Sequence, residues 1–163
     1  MYNTLHEQRE NLILELKQLH LRNELSQTVG DNYFEPGMME YLEQSDGSYN
    51  PQTGEILIRF EVAGTRYEGR TEQIEKVCIG DSTLIVRDNE NPYNSNNFTI
   101  LTSKRKNLGN MPARLCNVIA PLYDSGHLSI ISSNVSFVEP ISKRSRHAKQ
   151  AILFIQLKMG LSI

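Results

Sequence analysis

The chain has 163 residues and a formal net charge of −2, with 39% hydrophobic and 22% charged residues. This length allows one hydrophobic core with an appended segment, and the composition is ordinary for a globular protein. The longest apolar runs, such as residues 151–155, are too short to cross a bilayer, and the amino terminus lacks a signal-peptide pattern. We therefore expect a cytoplasmic protein without membrane association.

Charge is distributed unevenly along the chain. Residues 1–50 contain three basic and nine acidic residues, a net charge of −6, whereas the remaining chain contains 14 basic and 10 acidic residues, a net charge of +4. The overall value therefore hides a basic portion that is suited to a polyanion. We expect a helical segment and connector over residues 1–50, followed by a β-rich domain over residues 51–163.

The first predicted element is a leader helix over residues 3–27. Thr4 and Glu7 resemble a capping box at its start. Apolar residues at helical spacing form two stripes, one with Leu5, Leu12, Ile13, Leu16 and Leu19 and a second with Leu14, Leu21 and Leu25. A terminal helix of this length needs a partner surface to be stable. That partner is either the domain of the same chain or a second copy of the chain in a homodimer.

After the leader, the pattern changes from helix to strand. Residues 28–54 are predicted to form a connector that contains a short helix over residues 38–44 and dense turn signals. Strands rich in β-branched residues are predicted over residues 55–62, 84–86, 98–101, 129–131 and 152–157.

One helix is predicted among the strands. Its apolar face runs over residues 111–124 and ends before Gly126, while Pro121 predicts a kinked or separate last turn. Five or six short strands with an inserted helix predict an α+β fold, a small partly open β-barrel with one or two helices.

The residues with catalytic or ligand chemistry are scattered. The chain has no Gly-rich phosphate loop, its four histidines lack metal-ligand spacing, and no serine lies in a nucleophile elbow. Cys78 and Cys116 are far apart and are expected to be buried thiols. We therefore expect no metal, no cofactor and no enzyme activity.

The most unusual composition lies in residues 88–97, which hold five Asn, one Asp and one Glu around Pro92 and Tyr93. Asn and Asp favour turns, so the segment could be a capped turn between two strands. Its amides and its aromatic ring are equally suited to base edges, sugar hydroxyls or phosphates. Both interpretations stay open on the residues alone.

Arg66 and Tyr67 offer a cation and a stacking surface side by side, a pair that suits unpaired nucleotides. The alternative is an exposed strand end with a partly buried tyrosine. Two short basic runs, over residues 104–106 and 143–149, are interpreted as solvated surface or as contacts to a phosphate backbone.

Taken together, five segments resemble the HIRAN domain family in both order and spacing. They are Gly64-x-Arg66-Tyr67-x-Gly69, Leu84-Ile85-Val86-Arg87-Asp88, Asn91-Pro92-Tyr93-Asn94-x-Asn96-Asn97, Leu108-Gly109-Asn110-Met111-Pro112 and Leu122-Tyr123-Asp124-Ser125-Gly126. The motif centred on Asn-Pro-Tyr is the most specific of them. The resemblance covers about residues 55–160 and implies a compact OB-like β-barrel with one or two helices.

The resemblance also implies a ligand. In this family, a module of a replication-fork remodelling protein recognises the 3′-hydroxyl end of single-stranded DNA. By position, Arg66 and Tyr67 would stack on or clamp the terminal nucleotides. Asn91, Tyr93 and Asn94 would surround the terminal sugar and its hydroxyl.

Three departures from the family pattern matter. Asn97 replaces the usual Ala, which adds bulk and polarity where the next strand begins. Asn94 replaces the usual Asp, and an amide oxygen accepts a hydrogen bond less strongly than a carboxylate does. Asn110 and Ala113 stand where the DNA-end binder has His and Lys, and Asn110 is the sixth predicted binding residue. The sequence thus predicts a non-catalytic module for single-stranded DNA ends, acting in DNA repair or replication. The alternative is an adaptor that dimerises or binds proteins through its leader helix.

Overall fold

The computed structural model describes residues 5–14, 42–50, 52–67 and 69–161. Its helices are α1 over residues 5–14, α2 at Arg70–Ile74 and α3 at Ala113–Asp124, with a single helical turn over residues 42–44 and a 3-10 helix at Ile141–Lys143. Its strands are β1 (Ser48–Tyr49), β2 (Glu55–Glu61), β3 (Thr83–Asp88), β4 (Asn97–Thr102), β5 (Asn107–Asn110), β6 (Leu128–Glu139) and β7 (Ile152–Leu161).

The core forms where apolar residues alternate along the strands. In β7 every second residue is buried, and β2 buries Ile56, Ile58 and Phe60 in the same way. Because successive side chains of a strand point to opposite faces, this alternation directs one face of each strand inward. β2 pairs antiparallel with β7 along the whole length of β2, from Glu55 opposite Gly160 to Glu61 opposite Phe154.

The strands form two sheets that meet at both ends. One sheet has the order β1-β2-β7-β6 and the other has the order β3-β4-β5. A bridge between Ala63 and Asn110 joins β5 to the chain just after β2, and a bridge between Ser82 and Asn134 joins the chain before β3 to β6. Register shifts in β6 mark bulges, which bend a strand. The predicted α+β fold, a partly open barrel, is confirmed.

Helix α3 contains Pro121 within its last turn. The helix runs to Asp124 without a break, so the last turn is not separate. Proline lacks the N–H that would bond one turn back, but only three helical residues follow it. The carbonyl of Pro121 still accepts a hydrogen bond from the Ser125 N–H at 3.2 Å, which helps to hold this turn.

The described part of the leader helix contacts the core of its own chain. Leu12 and Ile13 are buried and belong to the same hydrophobic cluster as the barrel residues. Leu14, from the second predicted stripe, is 49% exposed. Residues 15–41, which include the rest of the predicted leader helix and most of the connector, lie outside the described residues, as does Thr4 of the capping box. Residues 42–44 are helical, as predicted.

The two cysteines have different surroundings. Cys116 is fully buried on α3, and burial raises the pKa of its thiol to about 11. Cys78 is exposed, so the prediction of a buried thiol is wrong there. It lies in the turn before β3, where its N–H donates to the Asp81 carboxylate at 2.8 Å, and such a turn lies outside the core.

Among the described residues, no helix is long and apolar enough to cross a membrane.

Candidate functional site

The loop between β3 and β4 is shaped by its own asparagines. Asn91 Oδ1 accepts hydrogen bonds from the N–H groups of Tyr93 and Asn94 at 2.9 and 3.1 Å. Asn94 Oδ1 accepts from the N–H of Asn96 at 3.0 Å. Side chains that bond to backbone two or three residues ahead form Asx-turns. The turn-forming role expected for this segment is therefore confirmed, and the contacts fix where Tyr93 projects.

The same loop is attached to helix α3. The amide nitrogens of Asn94 and Asn96 both donate to Asn117 Oδ1, each at 3.2 Å. Since Asn117 lies on α3, a regular element supports the loop from one side. Asn94 thus uses its nitrogen and one acceptor position within the protein, and its oxygen keeps a second lone pair.

Arg87, the next-to-last residue of β3, holds the loop through hydrogen bonds to its backbone. Its Nη1 donates to the carbonyl oxygens of Ser95 and Asn97 at 2.7 and 3.1 Å. Its Nε and Nη2 donate to the two carboxylate oxygens of Asp124 at 3.0 and 2.9 Å. The guanidinium also lies 5.5 Å from the centre of the Phe98 ring. One planar cation therefore joins both ends of the loop to the end of α3.

A buried polar residue connects this loop to β5. Asn97 is only 6% exposed, and its Nδ2 lies 3.3 Å from Asp88 Oδ2 and 3.2 Å from Asn110 Oδ1. Asp88 Oδ2 also lies 3.4 Å from Asn91 Nδ2. Buried polar groups need partners, and here one of the partners, Asn110, is itself a candidate site residue. Asn91 is thereby connected to Asn110 through two side chains.

On the other side of Asn110, the chain after β2 carries the predicted aromatic surface. Tyr67 is 55% exposed, and the guanidinium carbons of Arg66 and Arg70 lie 5.6 and 5.3 Å from the centre of its ring. Burial lowers the pKa of the Arg70 guanidinium, and the neighbouring Tyr67 acts in the opposite direction. Arg70 is thus partly desolvated, which strengthens its attraction to an aromatic face.

Gly64 is the point where these groups converge. A methyl group placed there would lie 2.7 Å from Arg70 Nη1 and 3.4 Å from both Asn110 Nδ2 and Tyr67 Cδ2. The Gly64 carbonyl accepts a hydrogen bond from Arg70 Nη1 at 3.0 Å, and φ at Gly64 is +71°. A glycine allows both this backbone conformation and the close approach. The bridge between Ala63 and Asn110 keeps the two chain segments together.

The six predicted binding residues thus fall into two groups. Tyr67 and Asn110 lie against Gly64 with Arg66 beside the Tyr67 ring, and Asn91 and Asn94 shape the loop that carries Tyr93. Tyr93 itself is 96% exposed. Among the described residues, no hydrogen bond or ring contact joins the Tyr93 side chain to Tyr67. The structure connects the two groups through Asp88 and Asn97, which sequence reasoning did not select.

Two further residues of the site were also missed. Arg70 was not predicted, although it follows Tyr67 by three residues, a spacing that brings side chains together in a turn or helix. Arg87 carried no local signal of its role, because its partner Asp124 is 37 residues away. Its position at the border of the polar loop and its place in the second family segment could have drawn attention to it.

A cavity of about 870 Å³ begins beside Gly64. Its walls include Val62, Phe137, Phe154 and Gln150, but none of the six predicted binding residues lines it. The predicted site is therefore a surface that adjoins this cavity and not its interior. Within the described part of the chain, no group of three His, Cys, Asp or Glu side chains is arranged to hold a metal ion.

Comparison with known protein families and known proteins gives one family match. The family model for the HIRAN domain matches residues 56–155. A search of curated proteins finds no match.

Three solved structures are similar to the chain. The HIRAN domain of human HLTF has 20% sequence identity and a TM-score of 0.48, over 66% of this chain and 81% of that one. A Lactobacillus plantarum protein has 19% identity and a TM-score of 0.48, over 64% and 98%. The HLTF HIRAN domain in its DNA-bound conformation has 18% identity and a TM-score of 0.44, over 64% and 75%.

The family assignment rests on the extent of the match to the family model. That match begins at the second residue of β2 and ends within β7, and it therefore includes Arg66, Tyr67, Asn110 and the whole loop of residues 88–97. Because it extends over more than half of the 163 residues, the chain belongs to the HIRAN domain family.

Proposed function

We propose that the chain is a non-catalytic module that binds single-stranded DNA at its 3′ end. The observation that carries this proposal is the exposed Tyr67 ring with two guanidinium groups within 5.6 Å, beside Asn110. Aromatic faces next to arginines stack unpaired bases and attract phosphates at the same time. A related domain, the HIRAN domain of HLTF, has a DNA-bound conformation, and family membership supports the same class of ligand here.

Each predicted residue has a role in this proposal. Tyr67 stacks on a base, and Arg66 binds the adjoining phosphate. Tyr93, which projects from the loop, stacks on or covers the terminal nucleotide. Asn94 accepts a hydrogen bond from the terminal hydroxyl through its remaining lone pair, and Asn110 donates from the side of Gly64 through its Nδ2.

Asn91 has a different role from the other asparagines. Both lone pairs of its Oδ1 are occupied by the N–H groups of Tyr93 and Asn94. We therefore assign it a positioning role, in which it holds Tyr93 and Asn94 in place for the ligand. The groups of the candidate site that face solvent are aromatic rings, guanidinium groups and amides. Such groups favour binding over catalysis. A place in DNA repair or replication follows from a 3′ end as ligand.

Fluorescence anisotropy tests this proposal directly. A short oligonucleotide labelled at its 5′ end is titrated with the protein, once with a free 3′-hydroxyl and once with a 3′-phosphate. We expect tighter binding to the free end. Tyr67→Ala and Tyr93→Ala should each weaken binding by about 1–3 kcal/mol, which corresponds to about 5- to 150-fold in Kd. Tyr67→Phe keeps the ring and should bind like the unmodified protein.

The outcomes separate the parts of the proposal. Equal affinity for free and blocked ends would contradict end recognition and leave single-strand binding intact. Absence of binding to both oligonucleotides at low salt would contradict nucleic-acid binding as a whole. Loss of affinity in Tyr67→Phe as large as that in Tyr67→Ala would show that the hydroxyl, and not stacking, is what matters.

A second candidate function is dimerisation through the leader helix. The observation that favours it is Leu14, which is 49% exposed although Leu12 and Ile13 beside it are buried. An exposed leucine next to a buried face offers an apolar contact to a second copy of the chain. Light scattering of the full chain and of Leu14→Glu tests it. A dimer that becomes a monomer in the variant would support the idea, and a monomer in both proteins would refute it.

A further inference from the structure

The basic segment, residues 143–149, is held against the chain that carries the aromatic surface. At its start, the N–H and the hydroxyl of Ser142 donate to the two oxygens of the Glu75 carboxylate at 3.2 and 3.0 Å. Just past its end, the Ala151 carbonyl accepts from Thr65 Oγ1 at 3.1 Å. Thr65 and Glu75 enclose the segment that contains Arg66, Tyr67 and Arg70, so the two segments lie side by side.

The cavity supports the same placement. Gln150, which directly follows the basic segment, lines the cavity that begins at Gly64. Lys149 is therefore one residue away from the wall of this cavity, and Arg66 follows Gly64 by two residues. A DNA strand that is bound at Tyr67 and continues across this cavity would next contact the basic segment.

Within the basic segment, one arginine stabilises the loop, and three other cations are free to bind a ligand. Arg144 lies 3.4 Å from the Glu139 carboxylate and donates to the Gln150 carbonyl at 2.7 Å, which closes the loop. The other three cations have exposed side chains and no ion pair with another described residue: Lys143, Arg146 and Lys149.

The acidic groups around the basic segment are mostly engaged. Glu139 is paired with Arg144, and Glu75 accepts the two hydrogen bonds from Ser142. Glu72 of α2 and Glu61, which lines the cavity, are exposed and have no ion pair with another described residue. Three long, flexible cations on a loop suit a phosphate backbone, because such contacts attract charge without reading bases.

We propose that the basic segment binds the phosphate backbone of the DNA strand beyond its terminal nucleotides. This inference rests on the proposed function and deepens it, because it makes the ligand a single strand of several nucleotides and not a terminal dinucleotide alone. The end contacts at Tyr67 and Tyr93 select the 3′ terminus, and Lys143, Arg146 and Lys149 add affinity that depends on strand length and salt.

The salt dependence of DNA binding gives the expected size of the effect. Each phosphate neutralised on a single strand contributes about −0.7 to the slope of log K against log salt concentration. Three cations that each bind one phosphate should therefore steepen the slope by about 2. A trinucleotide, held by the end contacts, should not show this additional slope, whereas a dodecanucleotide should.

The test compares these two oligothymidylates, both with a free 3′-hydroxyl, by anisotropy between about 50 and 300 mM salt. The variant combines Lys143→Ala, Arg146→Ala and Lys149→Ala. We expect it to lower the dodecanucleotide slope by about 2 and to leave the trinucleotide Kd within about twofold.

A matched control removes the same charge from the exposed β4–β5 turn, with Lys104→Ala, Arg105→Asn and Lys106→Ala. Asparagine is chosen because φ at Arg105 is +65°, a conformation that Asn tolerates. The control should keep the slope of the unmodified protein. An equal loss in the control would show that the effect is not specific to the basic segment and would overturn the inference.

Other outcomes are equally decisive. Equal slopes for the two oligonucleotides in the unmodified protein would overturn the inference without any variant, while the end-binding proposal would stand. Binding of neither oligonucleotide to the unmodified protein would overturn the proposed function itself. Because the three substituted side chains are exposed, the unfolding midpoint of the variant should match that of the unmodified protein.

Discussion

Arg87 holds the two ends of the polar loop against helix α3, so its removal tests how the site is built. In Arg87→Ala, the carbonyl oxygens of Ser95 and Asn97 lose their donor and the Asp124 carboxylate loses its partner. The contact with the Phe98 ring is lost as well. We therefore expect both lower stability and a displaced loop.

The magnitude follows from the exposure of the partners. The Asp124 side chain is 50% exposed, so its ion pair with Arg87 should contribute only about 0–1 kcal/mol. The Arg87 side chain is 15% exposed, and hydrogen bonds from a charged group to carbonyls contribute about 1.5–3 kcal/mol. We expect Arg87→Ala to lower the free energy of unfolding by about 3 kcal/mol, and Asp124→Asn by about 1 kcal/mol.

Urea denaturation measures both values, and a constant slope against urea would show that the unfolding reaction itself is unchanged. Arg87→Lys keeps the charge but lacks the planar fork, and it should lie between the other two variants. Losses of the same size in Arg87→Ala and Asp124→Asn would refute the reasoning, because the carbonyl contacts would then contribute nothing.

Three further predictions concern stability and reactivity. Gly109→Ala should cost about 3 kcal/mol or more in urea denaturation, because its methyl group would lie 2.5 Å from the Ala63 carbonyl oxygen. Gly80→Ala, with open space, should cost only about 1–2 kcal/mol, and equal costs would contradict this. A thiol reagent should modify Cys78 in the native protein and Cys116 only after unfolding; two reactive native thiols would refute this. The free energy of unfolding should fall between pH 9.0 and about 11, because the unfolded chain releases the Cys116 proton that the native state keeps; Cys116→Ala should lessen this decline.

Local patterns in the sequence were sufficient for most of the architecture. The alternation in β2 and β7 was visible in the residues, as was the apolar face of α3. The elements that were missed as regular structure are β1, α2, β5 and the 3-10 helix, which have two to five residues each. Such short elements contain too few repeats to show a period.

In the candidate site too, some contacts could be predicted from the sequence and others could not. The turn-forming contacts of Asn91 and Asn94 join residues two or three positions apart, so composition and spacing could predict them. The approach of Asn110 to Gly64 could not be predicted in this way, because it depends on the bridge that joins β5 to the end of β2.

The sequence by itself determined the family, the β-rich fold and the residues that form the polar loop, because these depend on periodicity and on local hydrogen bonds. Tertiary structure alone decided that Asn97 is buried between Asp88 and Asn110, and that Arg87 reaches Asp124. These contacts join residues distant in sequence. They exist because the barrel brings its two sheets together at the bridges after β2 and before β3.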